Sequence, residues 1–173
     1  MSNTVTNVAL SEDYSVLHAA DELMTQILQS NPYSLEELSN ALQANSTVKD
    51  SVSDVMNQAT TSPTETLSDR ASIRFARQLL VHLALTNQNG APYVNDFLSN
   101  WSDDRQSVSK VFAYGVAASM VVLVATTEIS YKEGEIAVEK KAIDAEQIQA
   151  IADLIKAIKN KERPTLPDKS KKR

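Results

Sequence analysis

Residues 110–132 read KVFAYGVAASMVVLVATTEISYK, and whether they cross a membrane, fill a core or change structure partway decides the fold. The uncharged run Val111–Thr127 has 17 residues, fewer than the roughly 20 needed to span a bilayer core. Its first half carries Gly115, Ala117, Ala118 and Ser119, which suit close helix packing. Its second half carries Val121, Val122, Val124, Thr126 and Thr127, whose β-branched side chains favour strand. The pattern predicts a switch from helix to strand near residues 119–121, with a membrane-inserting segment 111–127 as the competing reading.

Strict alternation follows. Thr127, Ile129 and Tyr131 point one way and Glu128 and Ser130 the other, and Ile136 and Val138 then alternate with Glu135, Ala137 and Glu139. A two-residue turn at Glu133-Gly134 pairs Ile129 with Val138, Tyr131 with Ile136 and Lys132 with Glu135. A one-residue slip would put the apolar sets on opposite faces. The cost of this register is Glu128 opposite Glu139, and glutamate is not the favoured first residue of a type I′ turn. A hairpin near 121–142 is therefore expected, and because an isolated hairpin is only marginally stable it must rest on other elements.

C-terminal to it, Asp144 is placed to cap a helix with Gln147 at the third position and Ile143 stapling onto Ile148. The stripe Ile148, Ile151, Leu154, Ile155 and Ile158 is predicted to cover the hairpin. Residues 162–173 have two prolines, no apolar periodicity and a basic end, as a disordered tail has.

Towards the N-terminus, residues 1–10 are a polar leader without the basic and apolar regions of a secretory signal. Ser11 precedes a helical run in which Leu17, Ala20, Met24, Ile27 and Leu28 recur at three-and-four spacing, and Pro32 ends it. Ser34 to Glu37 is a capping box for a helix over 35–43, and a weaker helix covers 47–56. Ser62-Pro63-Thr64-Glu65 repeats the cap and is predicted to open the longest helix, closed by Asn89-Gly90. A short helix over 93–101 then leads to a cap at Ser102 or Asp103. The whole reads as a mainly α (α+β) fold, a single domain over 11–161 built as a bundle of about five to six helices, with a C-terminal hairpin covered by a final amphipathic helix.

Composition narrows the chemistry. The 173 residues hold no cysteine, which removes thiolate catalysis and disulfides and makes a reducing, cytoplasmic setting the expectation. The net charge of −5 is unevenly spread. Residues 1–69 contain ten carboxylates and one cation, Lys49, whereas from Lys156 onward eight cations face only Glu162 and Asp168. No nucleophile elbow, phosphate loop, paired-carboxylate motif or cofactor fingerprint is present, so no catalytic, cofactor or metal residues are assigned and a non-enzymatic role is expected. His18, Asp21 and Glu22 lie within one helical turn and could begin a metal site, but nothing nearby completes it. His82, in LLVHLAL, reads as a partly buried helix residue, and Trp101 as a core plug.

Arg70, Arg74 and Arg77 recur at i, i+4 and i+7 and line one helix face. Such a stripe either pairs internally with the acidic first helices or contacts a phosphate or a partner's acid. Charged helix faces usually meet neighbours or solvent, which favours the first. The function expected from these observations is protein–protein interaction, as an adaptor, regulatory subunit or antitoxin/immunity-like protein. Asp21, Glu22, Glu36 and Glu37 are the expected contacts with a basic partner. Membrane association through 111–127, nucleic-acid contact through the basic tail and arginine stripe, and self-association are the alternatives.

Overall fold

The computed structural model describes residues 3–46, 48–86, 89–99 and 111–159. Eight helices and one hairpin lie among them: α1 (Asn3–Leu10), α2 (Asp13–Ser30), α3 (Leu35–Gln43), α4 (Lys49–Thr61), α5 (Asp69–Leu85), α6 (Gly90–Ser99), α7 (Tyr114–Thr126), β1 (Thr127–Lys132), β2 (Glu135–Lys140) and α8 (Ala145–Lys159). The fold is a helical bundle with a C-terminal hairpin and a final helix, as the sequence predicts, with more helices than expected.

The valine-rich half of the opening stretch is helix, not strand. α7 runs unbroken through it, and the switch comes at Thr126–Thr127 instead of 119–121. Burial decides this: ten of its 13 residues are buried, and α3, α4 and α8 all pack against it. A valine in a helix costs a few tenths of a kcal/mol relative to the best helix formers. Its full burial contributes about 1.5–3 kcal/mol, so a helix apolar all round wins wherever it can be enclosed on every side. Thr126 fits this core because its hydroxyl donates to the Val122 carbonyl at 2.7 Å and so leaves no buried polar group unpaired. No helix among the described residues is long and apolar enough to cross a membrane.

The amides at the start of α7 need partners that an apolar helix cannot supply, and the segment before α5 provides them. Tyr114 N–H donates to Glu65 O at 2.7 Å and Gly115 N–H to Pro63 O at 3.0 Å, while Leu67 N–H donates to Phe112 O at 2.8 Å. A Cβ on Gly115 would sit 3.1 Å from the Pro63 carbonyl oxygen, so this approach leaves little room for a side chain. Residues 63–67 are thereby held as a strap across the head of α7, and the expected cap at Ser62 is not used. α5 begins instead at Ser68, whose hydroxyl accepts from Ala71 N–H at 3.1 Å. At 17 residues α5 is also shorter than the 18-residue α2.

Gly90 likewise has a different role from the one predicted. It opens α6 instead of closing α5, because a Cβ there would meet the Leu83 carbonyl oxygen at 2.1 Å. The leader is a helix as well: α1 buries Thr4 and Val8 and packs on α5 and α6, with Asn95 Nδ2 donating to Thr4 Oγ1 at 2.8 Å. The predicted helix start at Ser102 or Asp103, Trp101 and the tail 162–173 lie outside the described residues.

The hairpin has the expected register, with Ile129 opposite Val138, Tyr131 opposite Ile136 and Glu128 opposite Glu139. Glu133 and Gly134 both take positive φ, 51° and 82°, as a type I′ turn requires. α8 starts with a complete capping box: Gln147 N–H donates to Asp144 Oδ1 at 2.9 Å and Asp144 N–H to Gln147 Oε1 at 3.2 Å. Its stripe is received mainly by α5 and α7. Cover of the hairpin falls chiefly to α2, α6 and α7, which redistributes the role predicted for the last helix.

Val138 is buried on the inner face and Glu139 exposed beside Glu128 on the outer. Val138→Asp is expected to lower stability by roughly 2–5 kcal/mol through an unpaired buried charge. Glu139→Lys is expected to be neutral or mildly stabilising. Thermal melts of the two variants check the pair, and equal losses would contradict the burial of this face.

Candidate functional site

The four expected contact carboxylates are not equivalent. Glu37 lies in the first turn of α3, where its amide donates to Ser34 Oγ at 3.1 Å. Its carboxylate turns away from the cap and pairs with Lys140 at the end of β2. The Lys140 ammonium also lies 5.1 Å from the centre of the Tyr33 ring, a cation–π contact that joins the start of α3 to the hairpin. Asp21 is half-buried on α2. Glu22 and Glu36 are exposed and have no ion-pair or hydrogen-bond partner among the described residues.

The ion pairs show where the early carboxylates find their cations. Asp13 pairs with Arg77 at 2.7 Å and Asp54 with Lys159 at 3.0 Å, and Glu37 with Lys140 makes a third. Each joins the acidic first third of the chain to a cation far along it. All are exposed on at least one side, so each contributes about 0–1 kcal/mol and fixes relative placement more than stability.

The arginine stripe is divided among different surroundings. Arg77, half-buried, donates through Nη1 to Val8 O and through Nη2 to Ser11 O at 2.9 Å and Asp13 Oδ1 at 2.7 Å. It thereby satisfies carbonyls left over at the end of α1 and holds the α1–α2 junction to α5. Arg74, one turn earlier and also half-buried, lines a cleft of about 240 Å³ between α5 and α8 together with Arg77, Gln78, Asp153 and Lys156. Arg70 is exposed in the first turn of α5 and is not part of that cleft.

A larger cleft of about 480 Å³ continues between the C-terminal half of α5 and the start of α8. Gln78 and Asp153 line both clefts, so the two form one groove. Val81, His82 and Leu85 form its α5 wall, and Lys141, Asp144, Glu146 and Ala150 stand opposite. Leu85 is 64% exposed there. Burial, reinforced by the positive charge of Lys141, pushes the His82 imidazole down to about 4. The ring is therefore neutral near pH 7 and offers one donor and one acceptor to the groove.

His18 does not gather a metal site. Its ring stacks on Tyr14 with centroids 4.3 Å apart, and among the described residues no group of three or more histidine or acidic side chains is placed to hold a metal. Tyr131 is 2% exposed, with its ring centroid 4.7 Å from that of Tyr93, and its hydroxyl has no hydrogen-bond partner among the described residues. Burial pushes its pKa up.

The α5/α8 groove had no signature in the sequence, because it depends on two helices 60 residues apart in the chain lying side by side. Two of the three spaced arginines, Arg74 and Arg77, line it, whereas the apolar stripe of α8 faces the core and the groove is lined by other residues of that helix. Gln147 was legible as half of a capping box. Its Nε2, which also reaches the Val124 and Thr127 carbonyls at 3.4 and 3.5 Å and ties α8 to the α7–β1 junction, was not. No protein-family model matches the chain, and no curated protein or solved structure shows significant similarity to it.

The depressed His82 value has a thermodynamic consequence. Unfolding releases the imidazole to a pKa of about 6.5, so below that pH the unfolded chain binds a proton that the folded one refuses. Stability is therefore expected to fall as pH drops from about 6.5 towards 4, and His82→Asn should flatten that loss. Following the His82 ring by NMR should give a midpoint near 4 that rises in Lys141→Gln. A midpoint near 6.5 in the wild type would contradict the burial of the ring.

Proposed function

We propose that this chain is a non-enzymatic protein-binding module, an adaptor, regulatory subunit or antitoxin/immunity-like protein, which engages a basic surface of its partner through α2 and α3. The observation that carries this reading is the standing of Glu22 and Glu36: both are exposed and without partners among the described residues, while Asp13, Glu37 and Asp54 are taken up by cations of the fold. Carboxylates already paired offer little field to a partner; unpaired ones on neighbouring helices attract a complementary surface and raise the rate of encounter. Of the four carboxylates expected from the sequence, Glu22 and Glu36 are thus the recognition residues, and Glu37 serves chiefly to anchor the hairpin.

Two charge reversals test the reading. Glu22→Lys/Glu36→Lys should melt within about 1 kcal/mol of the wild type, since neither side chain has a partner to lose. Used as baits in native extract with quantitative mass spectrometry, the wild type should enrich a defined partner that the double variant loses. With that partner purified, the association rate should fall steeply between low salt and about 0.15 M, where the Debye length is about 8 Å, and the dissociation rate should change little. An enrichment that is indifferent to both reversals would overturn the assignment.

A further inference from the structure

The wide end of the α5/α8 groove carries an inference independent of the acidic surface of α2 and α3. Its cleft of about 480 Å³ falls within the range of about 300–1,000 Å³ typical of small-molecule sites. Most of the charged side chains that line it are already engaged. Lys141 Nζ lies 3.7 Å from Asp144 Oδ2, and Asp144 Oδ1 accepts the Gln147 amide at 2.9 Å. Asp153 accepts from Gln149 Nε2 at 3.2 Å. Glu146 is exposed in the first turn of α8, where water and the helix dipole both stabilise its charge. A charged ligand would have to leave water for a cleft whose own charges are matched or solvated, and that desolvation opposes its binding.

What the cleft leaves open is uncharged. Gln78 and His82 stand one turn apart on α5, a spacing that puts their Cβ atoms about 5–6 Å from each other. Both line the cleft, and neither side chain has a hydrogen-bond partner among the described residues. The Gln78 amide offers an acceptor and two donors, and the His82 ring, kept neutral near pH 7 by its burial, offers one of each. Beside them Val81, Leu85 and Ala150 form an apolar wall, of which Leu85 is exposed, so a ligand laid over it removes apolar surface from water. We infer that the wide end of the α5/α8 groove binds an uncharged aromatic amide, with its carboxamide hydrogen-bonded by Gln78 and His82 and its ring against Val81, Leu85 and Ala150. An amide presents a donor and an acceptor together, as these two side chains do, whereas a carboxylate only accepts and an ammonium only donates. A ring covers the apolar wall with less loss of conformational freedom than a flexible chain of equal area.

Benzamide, benzoate and benzylammonium, titrated into the isotope-labelled full-length chain at pH 7 and constant ionic strength, test the assignment by NMR. Benzamide should shift the His82 ring and the Gln78 side-chain amide along one saturable curve, with one site per chain. Benzoate and benzylammonium should bind at least several-fold more weakly. Gln78→Leu and Leu85→Ser, both at exposed positions, should melt as the wild type does. Each should weaken benzamide about two- to tenfold, the first by the worth of a neutral hydrogen bond and the second by loss of apolar cover. The Glu22→Lys/Glu36→Lys variant should bind benzamide as the wild type does, which separates this site from the acidic surface. Equal affinity for either charged analogue would overturn the choice of an uncharged ligand. Unchanged affinity in both Gln78→Leu and Leu85→Ser would overturn the placement. Shifts spread over many surface residues without saturation would mark benzamide as a non-specific apolar probe and overturn the site.

Discussion

A helix that is apolar nearly all round is stable in water only if most of its surface is covered, and that requirement on α7, in which ten of 13 residues are buried and Val116 is 37% exposed, organises the molecule. α3, α4 and α8 each turn an apolar face to it, and its far end runs directly into the hairpin. Enclosure solves the side-chain problem and creates a backbone one, because the first amides of a buried helix have no water to bond. The strap at 63–67 answers it with its own carbonyls, which is why proline and an extended glutamate stand where a helix start would otherwise be read. At the other end Thr126 returns its hydroxyl to the helix, and Gln147 of α8 reaches the Val124 and Thr127 carbonyls.

Local chemistry was legible wherever a residue's role was completed within a few positions. The type I′ turn and its register followed from strand alternation and Gly134, and the α8 cap from Asp144 and Gln147. The cap at Ser34 was legible for the same reason, although the return bond from Glu37 was not made because Lys140 competes for that carboxylate. What the sequence concealed was settled by long-range packing. The valines of α7 carry a strand propensity that amounts to a few tenths of a kcal/mol each, and burial outweighs it. The Ser62 capping box is locally sound, but its backbone is used by α7. Residues 3–10 have too few apolar side chains to announce a helix, and their order comes from Arg77 and Asn95 elsewhere in the chain.

Charge follows the same division. An acidic first third and a cation-bearing remainder suggested complementarity, and the fold uses part of it internally through Asp13–Arg77, Glu37–Lys140 and Asp54–Lys159. The arginines at i, i+4 and i+7 therefore do not act as one stripe: Arg77 is a clamp, Arg74 faces a cleft and Arg70 stands at a helix start. Glu22 and Glu36 are among the exposed carboxylates that this internal pairing leaves without a partner among the described residues, and the proposed recognition rests on them.

The enclosure of α7 is the claim from which the rest descends, and native-state hydrogen exchange of its amides tests it most directly. If α7 is the enclosed centre, the amides of residues 118–124 should exchange only through global unfolding, with a free energy equal to that from denaturant melts and above that of α1 or α3 amides. Exchange of α7 by local opening, at a free energy at or below that of those outer helices, would contradict the account.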